Sequence, residues 1–195
     1  MPLFLYVAYL YLDINGYIGK QVTKETIPLY RSIVLREDKK MSFDKAEWQY
    51  DSARESYCEK YNKNSNSLTD EDEEIIWEFA GNHIAFFITW LIRHDFLGDL
   101  HYEDDFEGND LEAVKKQEKT GMDIFKQYCD MAFTDEDVSD EIAPFVEEYY
   151  DKDYLQDYID GIGKEKALST TFLWEDYFKV EPSIDDAYKK FLESR

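Results

Sequence analysis

The chain has 195 residues, 44% of them hydrophobic and 17% aromatic, with two cysteines and a formal net charge of −22 from 44 acidic and 22 basic side chains. That length buries a core without disulfides or a structural metal, and the aromatic content is far from that of a disordered chain. The excess of negative charge speaks against bare nucleic acid and anionic membrane as partners, since both repel it, and a second consequence of the charge is solubility.

Residues 1–40 stand apart. They carry six bases and four acids, a net of +2, which leaves −24 on residues 41–195. The run LFLYVAYLYL has no basic residue before it and no small-residue cleavage pattern after it, so it is not read as a signal peptide, and ten residues are too few to span a bilayer. In YLYLDINGYIGKQV, Asn15-Gly16 between two strand-like runs predicts a two-residue hairpin, which needs a body to pack on. A second reading stays open: purine-rich codons for Arg36 to Lys40 would resemble a ribosome-binding site ahead of Met41. Residues 1–40 are then a mis-called start rather than an N-terminal extension.

From Met41 onward the pattern is mainly helical. Phe43, Ala46, Trp48, Tyr50, Ala53 and Tyr57 lead to the polar loop NKNSNS, and Thr69 with Asp72 predicts an acid-ended capping box. The helix it opens holds IAFFITWLI, Ile84 to Ile92, which is apolar on every face. Such a helix is either buried all round or a membrane span, and the acids of Asp70 to Glu74 with Arg93-His94-Asp95 favour the first. The expected architecture is therefore a single helical domain built around a central helix at about residues 70–95. Gly81 within it costs about 1 kcal/mol against alanine, so a close backbone approach or a kink is expected there.

Residues 99–110, DLHYEDDFEGND, carry no Lys or Arg and read as a loop. A helix from Leu111 to Ala132 follows, interrupted near Thr120-Gly121. Thr134 or Ser139 caps the next helix, which places Ile142, Phe145, Val146, Tyr149 and Tyr150 on one side with Pro144 in its first turn. Residues 151–159 and 183–192 are two shorter helices, the last opening just after Pro182.

Chemistry is sparse. His83 reads first as a hydrogen-bonded core histidine, with a minority alternative as a ligand or general base acting with Asp130 and neighbouring carboxylates. His94 and His101 stand seven apart across a helix end, and without Cys-x-x-Cys or HExxH no zinc site and no cofactor is predicted. The acidic runs fail the EF-hand pattern: from Asp135 the sixth and twelfth positions are Asp140 and Val146, and from Glu103 the twelfth is Val114. Cys58 and Cys129 read as reduced thiols. No nucleophile elbow, P-loop or dinucleotide fingerprint is present, so the balance leans away from an enzyme.

FVEEYYDKDYLQDYID, Phe145 to Asp160, mixes aromatic and acidic residues, and residues 134–160 hold eleven acids and one Lys. Two readings fit. Tyr149, Tyr150, Tyr154 and Tyr158 with Glu147, Glu148, Asp151 and Asp153 form a surface for basic side chains, or the helices bury their tyrosines and solvate their acids.

Trp48-Gln49-Tyr50, AGNHIAFFITWLI (Ala80 to Ile92), Tyr128-Cys129-Asp130, Tyr149-Tyr150 with Tyr154-Leu155, and Trp174-Glu175-Asp176-Tyr177 together resemble a bacterial domain family of unknown function. The resemblance covers about residues 41–195 and leaves out the hairpin segment. It implies a helical fold and a bacterial, cytoplasmic setting, and brings no activity with it. Gln49 stands where the family pattern has His, and the tract Asp51 to Asp70 is longer, which weakens any Trp-His-Tyr catalytic idea. The expected function is a non-catalytic acidic protein-binding module, of the immunity or inhibitor type, for a basic partner such as a nuclease toxin. The alternatives are a hydrolase or metal-dependent enzyme using His83, and a structural protein whose charge confers only solubility.

Overall fold

The computed structural model describes residues 42–195 apart from Asp104, and the hairpin expected at Asn15-Gly16 lies outside the described residues. Strand β1, Ser42–Lys45, pairs antiparallel with β2, Ala132–Thr134, bringing Asp44 opposite Phe133 and Lys45 opposite Ala132. A register shift between Ser42 and Asp44 makes a bulge, the usual device by which a short strand re-aims its side chains.

A 3-10 turn at Ala46–Gln49 leads into helix α1, Tyr50–Tyr61. It ends on Asn62 at φ 51, in the left-handed region that asparagine tolerates, and the polar loop follows. Helix α2, Asp70–Arg93, opens with the predicted capping box: the Thr69 hydroxyl accepts from the Asp72 amide at 3.3 Å, and the Asp72 carboxylate accepts from the Thr69 amide at 2.9 Å. Acids fill its first turn and Arg93 its last, each sign matching the helix dipole. Every residue from Phe79 to Ile92 is buried. By length and hydropathy this helix would pass for a membrane span, and what sets it apart is that 83% of the apolar window lies inside the protein.

The Asp72 carboxylate takes a second role. It is held well below the usual carboxylate range by the Lys63 ammonium first, then by the Thr69 amide and the Tyr57 hydroxyl. A depressed folded value stabilises above the unfolded value of about 3.9 and is lost as the pH falls below it. The stability gap between wild type and Asp72→Asn, read by urea unfolding, is therefore expected to be open at neutral pH and to shrink as the pH drops below about 4. A gap that stays constant into acid would contradict this assignment.

Residues 99–110 depart from the expected loop: a 3-10 turn at Asp99–Tyr102 is followed by helix α3, Asp105–Lys115. A run of acids without Lys or Arg looks solvated in sequence, but acids are also what a helix N-terminus favours. The expected interruption near Thr120 is present. Gln117 adopts φ 62, and Thr120 caps helix α4, Gly121–Gln127, in a second capping box with Asp123. This helix stops short of Ala132 because Asp130 and Met131, at φ 50 and 56, turn the chain into β2. The expected reason for Gly81 holds in modified form: a Cβ there would lie 2.9 Å from the Phe125 ring of α4, so a side chain rather than a backbone makes the close approach.

Helix α5, Ala143–Tyr149, has Pro144 in its first turn as predicted. A π-helical turn, Tyr150–Tyr154, joins it to helix α6, Leu155–Ile162. The last helix, α7, spans Trp174–Glu193 and runs through Pro182, where a helix start was expected. Pro182 is exposed, and the helix is carried across it by an inward stripe of Tyr177, Val180 and Ile184. Trp90 of α2 ties this helix down, its indole N–H donating to Asp185 at 2.8 Å.

Candidate functional site

The wide turn at Tyr150–Tyr154 keeps residues four apart on one side of the chain, and that side faces inward. Tyr149, Tyr150, Tyr154 and Tyr158 are all buried, while Glu147, Glu148, Asp151 and Asp153 are exposed. Each phenol has a fixed partner: Tyr149 donates to Asp157 at 2.7 Å, Tyr150 to Asp44 at 3.2 Å and Tyr154 to the His83 carbonyl. Tyr158 accepts from the Asn82 amide at 3.1 Å and donates to the Ala167 carbonyl at 3.3 Å. Burial pushes all four hydroxyls far above their ordinary value, so they remain donors. The tyrosines pack the interior rather than present an exposed aromatic face. Of the two readings of this segment, inward rings with solvated acids is the one the fold adopts.

Between α5 with its π turn and α7 runs a groove of about 520 Å³, with Phe145, Tyr149 and Phe191 as its aromatic residues. Four carboxylates line it, Glu148, Asp153, Asp157 and Asp186, against the single ammonium of Lys190. Phe145 stacks on Tyr149 at 5.0 Å and meets Phe191 edge-on at 5.5 Å; the first two rings are buried and floor the groove, and half-buried Phe191 is the ring that presents a face to it. The guanidinium of Arg195 already stands 4.2 Å from the Phe191 ring centroid, well within cation–π reach. The sequence pointed to one wall of this groove. Its other wall lies on α7, some thirty residues later, and only the fold brings the two together.

The other named pair does not meet. His83 is buried, with Nε2 at 3.0 Å from Asp44 and Nδ1 without a hydrogen-bond partner among the described residues. Its pairing with Asp44 makes Nε2 the protonated nitrogen, as a carboxylate only accepts. Asp130 instead lines a separate groove of about 530 Å³ with Lys45, Glu74, Trp77 and Lys126, and His83 is not among its lining residues.

A buried cluster was not anticipated. His101, from the stretch expected as a loop, places Nδ1 against Glu107 and Nε2 at 3.1 Å from Asp137. The second oxygen of Asp137 accepts from the Thr134 amide at 2.6 Å and hydroxyl at 2.9 Å, and Cys129 completes the group. Burial lowers the His101 pKa, but the bonds to Asp137 and Glu107 outweigh it and hold the value up. Burial and the neighbouring Asp137 raise the Cys129 thiol, and both cysteines are free. The one sequence signal for this cluster was the Thr134-x-x-Asp137 capping spacing, which fixes a single member.

Compared with known proteins, the model of a domain of unknown function (DUF7832) matches residues 42–172. No curated protein and no solved structure matches.

Proposed function

We propose that the chain, which belongs to this domain family of unknown function, is a non-catalytic binding module that receives a basic segment of a partner protein in the groove between α5 and α7. The observation that carries this reading is the gathering of four carboxylates in one groove beside Phe191, a ring on which a guanidinium already rests. The carboxylates give steering and selection of sign, and Phe191 gives a cation–π contact to an arriving Arg or Lys. Because the groove is open, arriving cations keep part of their hydration and the desolvation cost stays small. The −24 body extends the attraction beyond the groove. An immunity or inhibitor protein that neutralises a basic toxin, such as a nuclease, fits this surface. Two free thiols suit a cytoplasmic setting. The groove joins a wall inside the family match to a helix, α7, that begins after residue 172, so partner choice is set by both.

The test is capture from the source cell's lysate at low and then high salt, with the full chain and with Glu148→Gln/Asp153→Asn/Asp186→Asn as baits. The expected result is one stoichiometric basic protein that is retained at low salt, released at high salt and lost by the triple variant. A partner held equally by both baits, or an empty bait, counts against the reading.

A further inference from the structure

We infer that His101, Cys129 and Asp137 bind one divalent transition-metal ion of the zinc class, independently of the groove. Their ligand atoms, one nitrogen, one sulfur and one oxygen, all lie within 4.8 Å of one another, and all three residues are buried. In a tetrahedral zinc site, bonds of about 2.0–2.3 Å put neighbouring donors roughly 3.3–3.5 Å apart. The His101 Nε2 to Asp137 oxygen distance of 3.1 Å is already close to that.

The surroundings are those of a supported site. Glu107 takes the far nitrogen of His101, the carboxylate–histidine arrangement that fixes the ring and leaves Nε2, beside the Asp137 oxygen, as the nitrogen to face a metal. Thr134 occupies the second oxygen of Asp137 with two hydrogen bonds, which leaves the first turned toward His101. A metal takes the neutral imidazole and the thiolate, so binding releases protons and weakens as the pH falls. Mixed N, S and O donors select zinc, cobalt or ferrous ions and reject magnesium and calcium, which take oxygen. The ion would staple three separate segments: the Asp99–Tyr102 turn, the chain leaving α4 and the Asp135–Asp137 turn.

The test is a titration of the chelator-stripped full chain with Co²⁺, since cobalt bound to thiolate shows a near-ultraviolet charge-transfer absorption. The expected result is saturation at one equivalent, bleaching by Zn²⁺ and a raised thermal midpoint with Zn²⁺ but not Mg²⁺. Cys58→Ser should keep the absorption, Cys129→Ser should lose it, and Glu107→Gln should weaken binding roughly 10–100-fold. Because Asp137 also caps a turn, the cysteine pair gives the cleaner readout. No charge-transfer absorption with excess Co²⁺ on the wild-type chain, or absorption that survives Cys129→Ser, overturns the site.

Discussion

Phe87→Ala is expected to cost about 3–5 kcal/mol of folding stability, the range for deleting a fully buried aromatic ring. The ring has no exposure and sits where three elements meet: its centroid lies 5.8 Å from Trp90 on α2 itself, 5.8 Å from Phe133 on β2, and 4.9 and 4.8 Å from Tyr150 and Tyr154 on the π turn. Those neighbours are held in place by hydrogen bonds from Tyr150 to Asp44 and from Tyr154 to the His83 carbonyl, so they cannot collapse into the space left behind. With total stabilities of about 5–15 kcal/mol for a domain, the loss would leave the protein near its folding threshold. Urea unfolding followed by circular dichroism measures it. Phe178→Ala, at a ring that is 40% exposed, is the control and should cost far less. A loss below about 1 kcal/mol at Phe87 would show that the core does not close around α2 as described.

The second large effect is at Gly121. A Cβ there would stand 2.4 Å from the Ala85 carbonyl oxygen and 2.9 Å from the Thr89 amide nitrogen, both backbone atoms of α2. The Gly121 amide also donates to the Thr89 hydroxyl at 3.2 Å, so moving α4 away breaks a buried bond. Gly121→Ala should therefore destabilise by about 3 kcal/mol, the upper part of the overpacking range. Gly108, in α3, has no described atom within 4 Å of the same built position. Gly108→Ala should stabilise by about 0.5–1 kcal/mol through helix propensity alone. The two substitutions are chemically identical, and their opposite signs, measured by the same unfolding curves, test the helix contact directly. A neutral Gly121→Ala would contradict it.

What could be seen in the sequence was what is local or periodic. The capping box at Thr69 and Asp72 needs only three residues, and a run such as IAFFITWLI forces burial whatever surrounds it. The misreadings share a physical reason. DLHYEDDFEGND looks like a loop because its acids suit solvent, yet they suit a helix start equally well, and packing of His101 decides. Pro182 looks like a boundary because a proline removes an amide, but an exposed position on a strongly amphipathic helix tolerates the loss. Tyrosines four apart mark one face of a helix without saying whether that face looks in or out. The groove and the His101 cluster were illegible for a different reason: each joins segments distant in the chain, and no spacing rule links Cys129 to His101, or Glu148 to Asp186.

The measurement that bears most directly on the central claim is the affinity of an Arg/Lys-rich peptide for three forms of the full chain at low salt. One is wild type, one is Glu148→Gln/Asp153→Asn/Asp186→Asn in the groove, and one is Asp51→Asn/Glu55→Gln/Glu59→Gln on the exposed side of α1. Both variants remove three negative charges, so any difference between them belongs to the groove and not to net charge. The account predicts that the groove variant loses at least tenfold in affinity while the α1 variant stays near wild type. Equal losses in the two variants would mean that the acidity acts only as a diffuse charge, and would contradict the groove as a binding site.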